Sequence, residues 1–279
     1  MITPAECAYI AEHAYVPEHL PHYVAAISRT ESFLFGEFVA HVADAHLIFV
    51  GYPLRGEDDA ARLMAALAEA KARCQPTGVS VIAPHMPAAL ADYACSPADA
   101  YYRLDVTRLV IPPKTRNMLA RARREVTVGV GKFGAEHRRL MDDFVRARRF
   151  DDATRFIFQR VAEYAQCASA VLFEARTARG KLVAFDLAEF GAREYAFYMF
   201  NVRARAQAIP GASDLLLAQI IARAQAEGKR FVNLGLGIDA GVTFFKRKWG
   251  ALPFLNYVAG TQTIARPPTW RDWIDQLVR

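Results

Sequence analysis

Between Phe231 and Tyr257 the sequence sets three cations, Lys246, Arg247 and Lys248, among aromatics, with Phe244-Phe245 ahead of them and Trp249 behind. A β-type run, Phe231-Val232-Asn233-Leu234, enters a glycine-bearing turn before this segment, and Gly250 leads out of it into another β-type run. Backbone N–H groups at a strand-to-helix turn are natural anion donors, and adjacent cations strengthen that tendency. The chemistry expected here is the holding of a phosphate or carboxylate, or the steadying of negative charge as it develops. Helical spacing points at most two of the three cations the same way.

Other routes to catalysis find little support. The chain has no G-x-S-x-G nucleophile elbow, no H-E-x-x-H and no Walker loop. Gly235-Leu236-Gly237 followed by Gly241 gives G-x-G-x-x-x-G, which misses the dinucleotide spacing, and too little chain follows for further strand-helix units. Ser213 and Cys167 lack a local partner that would mark a nucleophile, and read as a helix cap and a core thiol. What remains is a site of cations, backbone amides and apolar walls. That suits direct acyl transfer, in which an amine or hydroxyl attacks an activated carbonyl while the protein positions and stabilises charge. Tyr198 is a candidate for proton transfer or positioning, with core packing as the alternative.

Composition sets the frame for these groups. A chain of 279 residues makes one large domain or two of ordinary size, and its 53% hydrophobic residues are ample for a core. A formal charge of +6 favours anionic partners, such as nucleic acid, phosphorylated cofactors or an anionic membrane face; a basic surface kept for solubility is the plainer reading. Cys7, Cys74, Cys95 and Cys167 are far apart with no C-x-x-C spacing, so neither a zinc site nor a disulfide framework is expected. His13, His19 and His22 lie in surface-type sequence without supporting carboxylates, and no metal site is expected there. Glu6 and Glu12 stand where a signal peptide would be basic and then apolar, and no run is long enough for a membrane span. These features together predict a soluble cytoplasmic protein.

In chain order, Ser32–Ala40 and Ala45–Tyr52 read as a hairpin, Ala60–Cys74 as an Ala/Leu-rich helix behind Glu57-Asp58-Asp59, Val79–Ala83 as a buried strand and Tyr101–Val106 as another. After Pro112-Pro113 comes a basic helix, Lys114–Arg124, in which Arg116 and Arg123 share a face. Val126–Phe133 returns to strand, and the boundary between halves is placed there, giving 1–125 and 126–279. The second half reads as helices Ala135–Phe150 and Asp152–Ala168, then strands Ala170–Arg176, Lys181–Phe190 and Glu194–Val202 in meander order. A loop through Pro210-Gly211 leads to helix Ser213–Glu227, capped near Ser213 or Asp214, with Gly228 as its stop. Strand Phe231–Leu234, short helix Gly241–Lys248, strand Leu252–Ala259 and a tail with Pro267-Pro268, Trp270 and Trp273 complete the chain. This order predicts an α+β fold. Strand, loop, helix and strand over Leu47–Pro84 echo Tyr195–Gly235, which suggests structural duplication.

Three segments resemble the tandem-GNAT acyltransferases, the branch that includes the Fem-type aminoacyltransferases and the catalytic domain of aminoacyl-phosphatidylglycerol synthases. They are Phe49-Val50-Gly51-Tyr52-Pro53-Leu54, Lys114-Thr115-Arg116-Asn117 with Arg121, and Asn233-Leu234-Gly235-Leu236 with Gly241 to Gly250. The resemblance implies a tandem GNAT fold with two mixed, mostly antiparallel sheets and flanking helices. It also implies transferase activity, and an anion-binding or charge-steadying lysine that falls on Lys246. Ordinary GNAT enzymes hold coenzyme A with an arginine/glutamine-x-x-glycine-x-glycine/alanine loop; here that place reads Arg203-Ala204-Arg205-Ala206-Gln207-Ala208-Ile209-Pro210-Gly211-Ala212-Ser213, without the glycine pattern. Charged transfer RNA, the donor known in the tandem branch, is therefore favoured over acyl-CoA, with no tightly bound cofactor and a small-molecule or lipid acceptor. Lys246 and Tyr198 are the expected catalytic groups, and Arg116, Arg203, Ser213, Asn233 and Lys248 the expected substrate-binding ones. An acyl-CoA-dependent N-acetyltransferase and a non-catalytic anion-binding module remain the alternatives. The oligomeric state is left open.

Overall fold

In the computed structural model, residues 1–205 and 208–264 are described; the Pro267-Pro268 turn and the tail with Trp270 and Trp273 lie outside the described residues, as do Ala206 and Gln207. The N-terminal segment forms α1 (Pro4–His13) and α2 (Pro21–Ser28). Thr3 and Glu6 cap α1 reciprocally, the side chain of each accepting from the other's backbone N–H. Strands β1 (Glu31–Phe35), β2 (Phe38–Ala43) and β3 (His46–Val50) follow as an antiparallel meander. The expected single strand Ser32–Ala40 is thus two strands. Gly36, at φ +58°, turns the chain between Phe35 and Phe38, and a sequence pattern with apolar residues on both sides hides that break. Helix α3 (Ala60–Cys74) starts at Asp59, whose carboxylate accepts from the Ala61 and Arg62 N–H groups, and buries Leu63, Leu67 and Ala70 at helical spacing. It returns the chain to β4 (Gly78–Ala83), parallel to β3.

The short β5 (Ala94–Cys95) and β6 (Asp99–Asp105) come next, then the basic α4 (Pro113–Ala122) and β7 (Val126–Gly131). Helices α5 (Ala135–Arg146), α6 (Asp152–Gln159) and α7 (Val161–Tyr164) lead to the second meander, β8 (Ala170–Thr177), β9 (Leu182–Glu189) and β10 (Tyr195–Arg203). The helix expected over Asp152–Ala168 breaks at Arg160, whose Nε reaches the Ala26 carbonyl and whose guanidinium pairs with Glu163. Helix α8 (Ala212–Ala226) is apolar nearly all round, burying Leu215, Leu216, Leu217, Ile220 and Ile221 between the sheet and α4. Strand β11 (Phe231–Leu236) runs parallel to β10, α9 (Ala240–Lys248) follows, and β12 (Leu252–Thr263) ends the described chain.

The order strand, helix, strand recurs as β3-α3-β4 and β10-α8-β11, each a parallel pair bridged by one helix. The two sheets exchange strands: β11 takes β6 from the first half as its antiparallel neighbour, and β4 takes the far end of β12 from the second. Because β12 also pairs with β6, the strands join in one twelve-stranded sheet, in the order β1-β2-β3-β4-β12-β6-β11-β10-β9-β8-β7 with β5 beside β12. At the seam lies an aromatic cluster of Tyr52, Tyr101, Tyr195 and Phe197 packed against α1 and its following loop. His19, read as a surface residue, is buried here with Nε2 bonded to the Tyr52 carbonyl, and desolvation lowers its pKa to about 4.

Candidate active site at the parted strands

Strands β10 and β11 hydrogen-bond only over Tyr195–Phe197 and Phe231–Asn233, although β10 continues to Arg203 and β11 to Leu236. Past Phe197 and Asn233 they part, and an irregularity at Met199 shifts β10 against β9 at the same level. Tyr198 lies on β10 at this point, and β11 runs on into the turn that leads to α9.

The turn does bind an anion, but one of the protein's own. The Asp99 carboxylate, from the start of β6, accepts from the backbone N–H groups of Gly237 at 3.0 Å and Ile238 at 2.9 Å. A side chain on Gly237 would collide with Asp99 Oδ1, and Gly235 sits at φ +74°. Ile238 is at φ +60°, a left-handed conformation that a β-branched residue rarely adopts, and it is exposed. The sequence reading of free donors at this turn is therefore corrected. Asp99 stands 138 residues away in sequence from its Gly237 partner, and no local pattern points to it.

Asp239 caps α9 by accepting from Val242 N–H, and the helix turns Lys246 inward. Only 3% of Lys246 is exposed. Its Nζ donates to the Leu236 carbonyl at the end of β11 and lies 5.8 Å from the centre of the Tyr102 ring. Burial brings its pKa down to about 7, against the pull of the Asp99 and Asp239 carboxylates, neither of which forms an ion pair with it. A lysine in this state at the mouth of a strand gap is unusual for a structural residue. Phe245, its neighbour on α9, stacks on Tyr198 with ring centres 6.1 Å apart.

The other expected binding residues divide. Arg203, at the end of β10, lines a cavity of about 780 Å³ together with Arg148, Lys181, Arg205, Phe144 and Leu182. Arg148 lies over the Phe144 ring at 4.2 Å; partial burial and the nearby Arg203 guanidinium both lower its pKa, with Asp239 opposing. Lys248 is committed internally, with Nζ 2.7 Å from Asp214 Oδ1, while Trp249 Nε1 donates to the same carboxylate at 2.8 Å. Asp214, in the first turn of α8, thus joins the start of that helix to the end of α9. Ser213 is not the cap of that helix: Gly211, at φ +85°, holds the position, and Ser213 Oγ bonds to Asn201. Asn233 is fully buried, donating to the Tyr15 carbonyl and accepting from Gly235 N–H, each at 2.8 Å. Arg116, exposed on α4, donates to the Ile111 carbonyl ahead of the helix and is not among the residues lining the Arg203 cavity. A larger cavity, about 880 Å³ beside β7, is lined by Val130, Phe133 and Arg138 and contains none of the groups at the gap.

No family model and no curated protein matches the sequence. Solved structures match along its whole length. L-PGS from Bacillus licheniformis aligns with a TM-score of 0.61 over 99% of this chain and 97% of its own, at 15% identity. FemX aligns at 0.62 over 100% and 98%, at 11% identity. A tandem GNAT protein from the clavulanic acid biosynthesis pathway aligns at 0.57 over 95% and 97%, at 14% identity. The fold is the tandem GNAT fold, as the sequence resemblance implied. Among the described residues no helix is long and apolar enough to cross a membrane.

Proposed function

We propose that the protein is an acyltransferase that moves an activated acyl or aminoacyl group to an amine or hydroxyl acceptor at the gap between β10 and β11. The observation that carries this reading is Lys246, a buried amine with no carboxylate partner among the described residues, bonded to the carbonyl at the end of β11 beyond the point where the strands part. An oxyanion or acceptor anion entering the gap restores the charge on Lys246 and is stabilised by it in a poorly solvated setting. Tyr198 stands opposite to position or pass a proton.

Charged transfer RNA is the donor we favour. The net charge of +6 and the cluster of Arg148, Lys181, Arg203 and Arg205 suit a polyanion, and the segment from Arg203 to Ser213 lacks the glycine pattern of a coenzyme A loop. The acceptor is a small molecule or a lipid. Acyl-CoA is the competing donor, and the two separate when the protein is incubated with labelled aminoacyl-tRNA or labelled acetyl-CoA and a panel of amines and hydroxyls. Lys246→Ala is expected to lower kcat/KM by about 100-fold or more with the fold intact; unchanged turnover would remove Lys246 from the mechanism.

Arg148→Ala and Arg203→Ala are each expected to raise KM for the anionic donor by about tenfold, with an effect that shrinks as salt is added. Steady-state kinetics at low and high ionic strength check this. A salt-independent change in Arg148→Ala would mean that Arg148 acts through its packing on Phe144.

A further inference from the structure

Asp186 lies in the middle of β9, on the face covered by α8, with no accessible surface. Its Oδ1 accepts from Asn201 Nδ2, and Asn201 also bonds to Ser213 at the start of α8. Its Oδ2 has no hydrogen-bond partner. A buried oxygen left in this way in the middle of an otherwise paired sheet calls for an explanation.

Among the described residues no counter-charge pairs with Asp186. Asp214, facing it from α8, is a like charge already joined to Lys248 of α9, and Arg203 at the far end of β10 is exposed. Burial accordingly drives the Asp186 carboxyl well above the usual carboxylate range. The nearby group that can complete it is Tyr198. In the β9–β10 ladder Asp186 faces Asn201, and Tyr198 faces Ala188, one diagonal step away on the same side. The Tyr198 hydroxyl approaches Asp186 without closing a bond of normal geometry to Oδ2.

We propose that Asp186 is a positioning residue for Tyr198: its carboxyl carries a proton on Oδ2 and donates it to the Tyr198 hydroxyl oxygen, turning the phenolic O–H into the gap between β10 and β11. The proton belongs on Oδ2 because Oδ1 is occupied as the acceptor of the Asn201 amide. A neutral carboxyl can donate, whereas an ionised one only accepts and would draw the Tyr198 O–H onto itself, away from the gap. The hydrogen-bond assignment stands on its own; its consequence for turnover rests on the transfer reading above.

Infrared spectroscopy of the whole protein at neutral pH tests the assignment without any substrate. A carboxylic-acid C=O band is expected that disappears in Asp186→Asn, and its absence from the native protein would overturn the proposal. In kinetics, Asp186→Asn keeps a donor at the same place and is expected to retain kcat within a few-fold. Asp186→Leu is expected to lower kcat by about tenfold with KM unchanged, and to have no further effect in a Tyr198→Phe background. Equal damage from Asn and Leu, or an undiminished Leu effect without the phenol, would refute the positioning role. A band that behaves as expected, with Tyr198→Phe fully active, would refute only the part of Tyr198 in transfer, so the two failures can be told apart.

Discussion

Replacing Lys246 with methionine is expected to make the protein more stable while removing its transfer activity. The amine is buried, and burial brings its pKa down to about 7. The displacement from an ordinary lysine sets an upper limit of about 5 kcal/mol on the cost of carrying the charge in place. Methionine fills a similar volume without that cost and gives up one hydrogen bond to the Leu236 carbonyl, worth about 1 kcal/mol. A net gain of about 2–4 kcal/mol at pH 6 follows. The pH dependence fixes the sign. The unfolded chain keeps its lysine proton up to about pH 10.4, whereas the folded protein loses it near 7, so in that window the unfolded state binds more protons and native stability rises with pH. The advantage of methionine is full below pH 7 and fades toward pH 10.4. Urea unfolding of both proteins at pH 6 and pH 9.5 measures it. A variant less stable than the native protein at pH 6 would mean that Lys246 is a structural donor and not a strained functional group. In the native protein, kcat/KM is expected to fall as pH rises through about 7, because the charged amine is the form that steadies an anion.

Such a stability cost carried at one position is what the sequence could indicate and the structure had to qualify. The pattern Phe244-Phe245-Lys246 pointed to the cation that the fold buries, because an amphipathic helix after a glycine turn brings one of three neighbouring cations inward. Which of its neighbours were free was not legible. Lys248 is held by Asp214, and the turn amides by Asp99, through contacts made by distant segments that leave no local periodicity. Ala60–Cys74 was readable to the residue because cap, apolar spacing and terminator agree. The hairpin hidden in Ser32–Ala40 was not, since Phe35 and Phe38 are buried on either side of Gly36 and the alternation runs on through the turn. Strand exchange was beyond the sequence as well. Nothing in Asp99–Asp105 or Leu252–Thr263 distinguishes pairing within a half from pairing across it. Asp186 is the clearest omission: a lone acid between Phe185 and Leu187 reads as an outward-facing strand position, but in a sheet covered on both faces it is interior.

Asp214→Ala is expected to cost about 3–5 kcal/mol, one of the largest losses from a single replacement in the second half. The carboxylate is buried and satisfies two donors at once, Lys248 Nζ and Trp249 Nε1, and so ties the start of α8 to the end of α9. Removing it leaves an indole N–H buried and an ammonium with limited access to water. Lys248 is partly exposed and can swing outward, which places the expected loss nearer the lower figure. Asp214→Asn should fall between the native protein and the alanine variant, keeping an acceptor for Trp249 while losing the charge that holds Lys248. Urea unfolding of the three proteins gives the order. The pair Asp214→Leu with Lys248→Met removes both charges together and is expected to recover most of the loss. That double variant also decides what Lys248 is for. If its stability returns and turnover stays within a few-fold of native, Lys248 serves the scaffold that presents Lys246. If stability returns and KM for the anionic donor rises by about tenfold or more, Lys248 reaches the substrate despite its ion pair, and the binding site extends from Arg203 across the start of α8 to the end of α9.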